Sequence, residues 1–335
     1  MITSLSFPLV TAPLLSFVVT FTLIWWLIKG NTLKILDHPN SRSLHTEPVP
    51  RTGGVGLMLG VLASWTLLPA ALPLPIWIGI SLLVAISLVD DIFILPVWQR
   101  LLTHGAIATW LSATLMSEAH GWILIIMVAF IIAWVTNLYN FMDGSDGLAG
   151  GMTLIGFGCY GLAAWLAGDE VFAVLNFCIV AAAAAFLLFN FHPARIFMGD
   201  TGSIPLGFMA AAFGVMGWIN GLWPLCLPLL TFSPFIADAT ATLAKRGVRG
   251  EKIWQAHREH YYQRLVQSGF GHRNTALLSY VLMLAAGTSA VWVAEQDSTA
   301  QFGIGAAWSG AYLVMMFVFD RYWERHCGDR PDAST

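Results

Sequence analysis

Apolar stretches of about 20 residues recur along almost all of the 335-residue chain, and a helix of that length matches the hydrocarbon core of a bilayer. No other feature narrows the fold as far. Apolar residues make up 57% of the chain and charged residues 10%, against about 25% charged in soluble domains. A soluble helical core of this size would have too few charges to cover its surface. No zone of different composition marks a separate soluble domain. The expected fold is therefore an all-α polytopic membrane protein.

Eleven spans are expected, near 7–29, 53–71, 73–94, 99–117, 121–140, 148–167, 170–191, 203–219, 223–243, 274–293 and 300–319. Ten is the alternative. The first is too long for a signal-peptide core and is kept as a helix. Residues 1–320 then form one transmembrane catalytic domain and 321–335 a tail. Cys159, Cys178, Cys226 and Cys327 have no metal-ligand spacing, and those in apolar runs act as small hydrophobes.

Charge sets the orientation. All 16 Lys and Arg residues lie in or beside segments 30–52, 95–98, 141–147, 192–202, 244–273 and the tail. The opposite loops carry only Glu118, Asp169, Glu170, Glu295 and Asp297. Basic residues stay on the cytoplasmic side, which places the N-terminus outside and the C-terminus inside.

Four acidic clusters fall on that cytoplasmic face: Asp90 with Asp91, Asp143 with Asp146, Asp200, and Asp238. Ionisable groups at membrane depth are costly and mark function. Clustered carboxylates repel one another unless a cation compensates. Their hard oxygens suit Mg²⁺, commonly held by one or two carboxylates and shared with substrate phosphates. Gly144, Gly147 and Gly199 beside them allow tight turns and close approach to a phosphate. Helix capping is the bland alternative for Asp146 or Asp200. It does not fit Asp90 and Asp91, which close their own helix, where negative charge opposes the dipole.

Two loops supply positive charge. One runs from Asp37 through Arg42 and His45 to Arg51 and Gly54, and the other spans 244–273. In the second, Ala256-His257-Arg258-Glu259-His260-Tyr261-Tyr262-Gln263-Arg264 places two histidines three residues apart, on one face if helical. Such a cluster can hold a pyrophosphate. Surface anchoring is the better reading for Lys245, Arg249 and the tail arginines, but it does not call for paired histidines. Zinc lacks a third soft ligand.

Taken together, Asp37–Gly54, Asp90-Asp91, Asn137-x-x-Asn140-x-x-Asp143-Gly-x-Asp146-Gly, Phe197-Met-Gly-Asp200-x-Gly-Ser203 and His257–Leu265 resemble the motif series of the polyprenyl-phosphate N-acetylhexosamine-1-phosphate transferases. The resemblance covers about residues 35–265. It implies Mg²⁺-dependent phosphotransfer (Mn²⁺ being an expected substitute) from a UDP-sugar to undecaprenyl phosphate in the bacterial inner membrane, with UMP leaving. By similarity, Asp200 is a direct Mg²⁺ ligand, with Asp143 and Asp91 as further candidate ligands. Asp90 positions or deprotonates the lipid phosphate, and Asp91, Asp143, Asp146, His257 and His260 complete the candidate catalytic set. Asn137, Asn140, His45, Arg51, Arg195, Arg258 and Arg264 are candidate substrate-binding residues. A homodimer is expected from the same resemblance, and nucleic acid is not an expected partner.

The His-Arg-Glu-His-Tyr-Tyr-Gln-Arg string replaces the triple histidine of the muramoyl-pentapeptide branch, and Ser43 follows Arg42 where many members have a second basic residue. Both features resemble the O-antigen initiating subgroup, which uses 6-deoxy sugars such as UDP-FucNAc or UDP-QuiNAc. UDP-GlcNAc is the alternative donor. A direct in-line attack needs no covalent enzyme intermediate, and a two-step route through an Asp nucleophile stays open. A transporter or flippase would place its acids near the midplane, often within inverted repeats, and neither is found. A lipid phosphatase would share the phosphate site without a sugar nucleotide.

Overall fold

Thirteen helices follow one another in the described residues of the computed structural model: α1 (Ser6–Lys29), α2 (Gly53–Trp65), α3 (Leu74–Phe93), α4 (Val97–Leu115), α5 (Trp122–Phe141), α6 (Leu148–Leu166), α7 (Glu170–Asn190), α8 (Asp200–Ile219), α9 (Cys226–Thr231), α10 (Ser233–Val248), α11 (Tyr261–Leu265), α12 (Gly271–Ala294) and α13 (Ser298–His326). Between α1 and α2, β1 (Leu36–Asp37) pairs antiparallel with β2 (Val49–Pro50). The structure describes residues 6–30, 35–37, 39, 44, 47–68, 72–93, 95–116, 121–255 and 257–326. His45, an expected substrate-binding residue, lies outside them.

Eight helical runs are long and apolar enough to cross a membrane: α1, α3, α5, α6, α7, α8, the α11–α12 run and α13. The chain is thus a mostly helical, multi-pass membrane protein. Three of the remaining expected spans differ in form. The helix expected over 53–71 is the 13-residue α2, with Pro69 and Pro73 beyond its end unable to donate to a continuing ladder. The span expected over 223–243 is broken into α9 and α10 around Phe232. Pro234 has no N–H for the Leu230 carbonyl, and the Ser233 hydroxyl donates to it instead at 2.6 Å. α4 is 19 residues long but carries Gln99, Arg100 and His104 and is less apolar than its neighbours. The tail expected from 321 begins as the last turns of α13.

α8 is the axis of the molecule. It is apolar on every side, and residues 201–217 are all buried, as such a helix must be. Small residues let its neighbours come close, the usual device of helix packing in lipid. A Cβ on Gly207 would lie 2.6 Å from Tyr139 Cβ on α5, and one on Gly54 only 2.3 Å from the Gly202 nitrogen. α3 and α5 flank α8, and α4 packs on the outer side of α5. On the other side, α1 packs against α2 and α7, α7 against α6, and α6 against α12. α13 is outermost, with Tyr312 its only buried residue and Phe302 83% exposed, as lipid-facing apolar groups are.

One end of the bundle is laced together by polar contacts. Gly53 and Gly54 open α2 by donating to Phe197 and Met198 carbonyls at 2.9 and 2.8 Å, and the Phe197 N–H returns to Pro50 O at 2.7 Å. This lacing brings the end of α3 and the starts of α2, α4 and α8 to one place.

Candidate active site

The N-terminus of α8 leaves N–H groups without helical partners, and Asp91 at the end of α3 takes them. Its Oδ1 accepts from Asp200 N at 3.2 Å, and its Oδ2 accepts from Thr201 N at 2.9 Å and from the Thr201 hydroxyl at 2.6 Å. The sequence reading finds no capping role for Asp91 because Asp91 closes its own helix. In the structure it caps a different one. Gly199 makes the approach possible: it has φ +71°, and a Cβ there would lie 2.4 Å from Arg51 O and 3.1 Å from Asp91 Oδ2. Arg51 braces the same turn, donating to the Asp91 carbonyl at 2.6 Å, with its Nε 3.7 Å from Asp91 Oδ1.

Asp90 is oriented differently. Its Oδ1 accepts from Leu95 N at 2.6 Å, and its Oδ2 lies 3.1 Å from Arg100 Nη1. The same Arg100 nitrogen lies 3.2 Å from Asp200 Oδ2. One guanidinium on α4 therefore bridges carboxylates on α3 and α8. Sequence reasoning missed Arg100, because a basic residue near a helix end also serves to anchor the cytoplasmic side.

Asp143 follows α5 and is half-buried. Among the described residues its carboxylate accepts no hydrogen bond and forms no ion pair. Burial, and then the carboxylates of Asp200, Asp91 and Asp37, push its proton affinity well above the usual carboxylate range. Asp37, on β1, is a second residue missed among the candidates. Four carboxylates thus share one field, and that donor set fits a hard divalent cation. Among the described residues no three carboxylate or imidazole groups converge as a ready-made metal cage. The fit is to an ion completed by substrate phosphates, which is the usual way Mg²⁺ is held.

Asp146 is occupied elsewhere. Its Oδ2 lies 2.6 Å from His192 Nδ1 and accepts from Ala194 N at 3.1 Å. His272 stacks on His192 with ring centroids 5.5 Å apart. It also reaches Ser145 Oγ at 2.9 Å and Leu44 O at 3.2 Å. This knot ties the α5–α6 turn to the loop after α7 and to the start of α12. Asp238 repeats the role of Asp91, accepting from Tyr261 N and Tyr262 N at 2.9 Å each and so capping α11. The acidic clusters are therefore not equivalent: the carboxylates of Asp91, Asp146 and Asp238 already accept hydrogen bonds, whereas that of Asp143 accepts none among the described residues.

His257 and His260 are neighbours, with ring centroids 4.8 Å apart, although not by sharing a helical face. Residues 257–260 are non-helical, and His260 is the N-cap of α11. His260 is buried, with Nδ1 3.3 Å from Asp238 Oδ1. Burial, then His260 and Arg246, lower the His257 imidazole to about 4. Its unfolded value is about 6.5, so the unfolded chain takes up this proton first as pH falls. Stability should drop between about pH 6.5 and 4 for that reason. In a thermal-unfolding series over that window, His257→Gln should show a flatter pH dependence than the parent; an unchanged slope would refute the assignment.

The remaining expected residues scatter. Arg264 donates to Asp320 Oδ1 at 2.8 Å and lies over the Tyr261, Phe319 and Trp323 rings, which ties α11 to α13. Arg195 donates to Leu188 O at 3.1 Å over the Phe189 ring. Asn137 accepts from or pairs with His104 Nδ1 at 3.2 Å and donates to Ala133 O. The Asn140 carbonyl accepts from Asp143 N at 3.1 Å, so this residue shapes the Asp143 turn. The carbonyl of Arg258 accepts from Gln267 Nε2 at 3.0 Å.

With this geometry in place, the chain can be set beside known proteins. Residues 74–218 match the family described as Glycosyl transferase family 4. A probable undecaprenyl-phosphate N-acetylglucosaminyl 1-phosphate transferase of Bacillus subtilis is 28% identical over 81% of this chain and 81% of its own length. An undecaprenyl-phosphate alpha-N-acetylglucosaminyl 1-phosphate transferase of Yersinia pestis is 25% identical over 86% and 85%. A phospho-N-acetylmuramoyl-pentapeptide-transferase of Levilactobacillus brevis is 28% identical over 73% and 84%. Fold and site define a multi-pass membrane protein with a carboxylate-rich polar end. The chain is similar in sequence to the polyprenyl-phosphate N-acetylhexosamine-1-phosphate transferases, as its motifs imply.

Proposed function

We propose that this protein transfers an N-acetylhexosamine 1-phosphate from a UDP-sugar to undecaprenyl phosphate, releasing UMP and starting a cell-surface polysaccharide. The observation that carries this reading is the Asp143 carboxylate, unpaired among the described residues, in the field of Asp200, Asp91 and Asp37, together with the Arg100 bridge between Asp90 and Asp200. Excess negative charge with an adjacent guanidinium suits two phosphate substrates and a divalent cation. Asp143 and Asp200 would hold Mg²⁺, or Mn²⁺ in its place, whereas Asp91 already accepts hydrogen bonds from the α8 N-terminus. When bound, Mg²⁺ supplies Lewis-acid stabilisation of charge on the phosphates and the departing oxygen. Asp90 would position or deprotonate the lipid phosphate, and Arg100 would offset substrate charge as the reaction proceeds.

The names of the relatives favour UDP-GlcNAc as donor. The His257–Arg264 and Arg42-Ser43 departures favour a 6-deoxy sugar, which no relative's name supports. The proposal extends to a single catalytic unit over residues 1–320, eleven spans, an external N-terminus and a cytoplasmic C-terminus in the bacterial inner membrane. The one-sided placement of all 16 basic residues supports this orientation. Homodimeric assembly rests on the family resemblance.

Purified protein with undecaprenyl phosphate and Mg²⁺ should release UMP from UDP-GlcNAc, UDP-FucNAc or UDP-QuiNAc only when the lipid is present. A chelator should stop the reaction and added Mg²⁺ should restart it. Lipid-independent release, or none from the whole panel, would overturn the reading.

A further inference from the structure

α13 packs chiefly on α9 and α12. It lies beyond the matched residues 74–218 and beyond the last motif string, which ends at Leu265. Near its end stands Asp320, and both oxygens of that carboxylate are engaged by α10 and α11. Oδ1 accepts from Arg264 Nη1 at 2.8 Å. Oδ2 accepts from the Tyr261 hydroxyl at 3.0 Å and from Lys245 Nζ, which also donates to the Tyr261 hydroxyl. The Arg264 side chain is 15% exposed, and its guanidinium lies 5.5, 5.4 and 4.8 Å from the centres of the Tyr261, Phe319 and Trp323 rings. Rings and carboxylate together fix the plane of that group.

The residue after Tyr261 faces the candidate site. The Tyr262 hydroxyl donates to Phe141 O at 3.0 Å, at the end of α5 and two residues before Asp143. Gly144 leaves room for that hydroxyl, because a Cβ there would collide with it. Tyr262 is therefore wedged against the turn that carries Asp143. His260, the N-cap of α11, is 3% exposed. Its ring centroid lies 6.3 Å from that of Phe141 and 5.8 Å from that of Tyr262. A helix of five residues does not hold its shape alone, so outside contacts set the position of α11. Asp238 holds its start through the Tyr261 and Tyr262 N–H groups, and Asp320 holds its flank.

We propose that Asp320 is a positioning residue for phosphotransfer. Through Tyr261 and Arg264 it seats α11, and α11 in turn fixes His260 and, by the Tyr262 hydroxyl, the Asp143 turn. The chemistry so served rests on the transferase reading, whereas the seating of α11 does not. Charge-assisted bonds to one carboxylate make that seating depend on its charge. The other polar tie of α13, between the Tyr312 and Ser233 hydroxyls at 2.7 Å, reaches the α9–α10 break instead.

The test combines histidine labelling with kinetics. The full chain in detergent is treated with diethyl pyrocarbonate, which modifies accessible neutral imidazoles. Trypsin then separates His257 from His260 by cutting after Arg258. In the parent, His260 should be protected relative to His257. Asp320→Asn should raise the His260 labelling rate several-fold and lower kcat about tenfold, as a small misplacement does, with KM for undecaprenyl phosphate within about twofold. Asp320→Glu keeps the charge and should recover most of kcat. Tyr312→Phe loosens α13 without removing any of the α11 bonds and should leave both readings at the parent's values. If Asp320→Asn does not yield folded protein, Tyr261→Phe removes only the hydroxyl link and should move both readings in the same direction. A purely structural tie would lower the melting temperature and leave His260 labelling and kcat unchanged. That result, movement of only one reading, or equal effects from Tyr312→Phe would overturn the proposal. Labelling does not need turnover, so a parent without UMP release would sink the transferase reading while His260 protection still decides the seating of α11.

Discussion

Asp143→Asn should lower kcat by about 10²–10³-fold without costing stability. The carboxylate has no hydrogen-bond donor or ion-pair partner among the described residues, and Asp200, Asp91 and Asp37 all oppose its charge. Neutralising it removes repulsion and breaks no bond, so the melting temperature should hold or rise. A group that weakens the resting fold and is still needed for turnover is the pattern of a site adapted to bind something. Thermal shift adds a readout that does not use activity. Mg²⁺ should raise the melting temperature of the parent by mass action, and the Asn variant should lose most of that shift. Near-normal turnover, or an undiminished Mg²⁺ shift, would remove Asp143 from the proposed metal site.

Asp91→Ala should do the opposite and fail as a protein before it fails as a catalyst. The side chain is 2% exposed, and its two oxygens accept from Asp200 N, Thr201 N and the Thr201 hydroxyl. Removing it strands these donors at the start of the most buried helix, at a cost of about 3 kcal/mol or more. Arg51, which donates to the Asp91 carbonyl, loses the nearby carboxylate as well. The expected result is a large drop in melting temperature in detergent and loss of monodisperse protein on mild heating. Asp91→Asn should lie between, because an amide nitrogen cannot accept from Thr201. A stable but inactive Ala variant would restore Asp91 to the ligand set that the resemblance implies.

These two residues show where the sequence stops being informative. Both are acids at a helix end at the polar end of the bundle, and nothing local separates them. What separates them is the donor at each carboxylate. For Asp91 the donors come from residues 109 and 110 positions later, for Asp146 from His192 and Ala194, and for Asp238 from α11. A capping argument confined to a residue's own helix cannot find them. Arg100 was obscured for the opposite reason. A lone arginine near a helix start satisfies the positive-inside rule, so its bridge between Asp90 and Asp200 leaves no separate trace.

The mostly helical, membrane-spanning character of the chain was readable from the sequence alone, as was the gathering of its acids and bases at one end. A bilayer enforces both through composition: about 20 apolar residues per crossing, and basic residues kept to one side. The family resemblance was readable too, because its motifs are contiguous strings. The tertiary structure decided which carboxylates are spent on holding α8 and α11 in place and that Asp143 has no hydrogen-bond or ion-pair partner among the described residues. It also decided that Arg100 on α4 bridges Asp90 on α3 and Asp200 on α8. Those outcomes depend on which helix ends meet across a hundred or more residues, and hydrogen bonds at such range leave no periodicity in the chain that forms them.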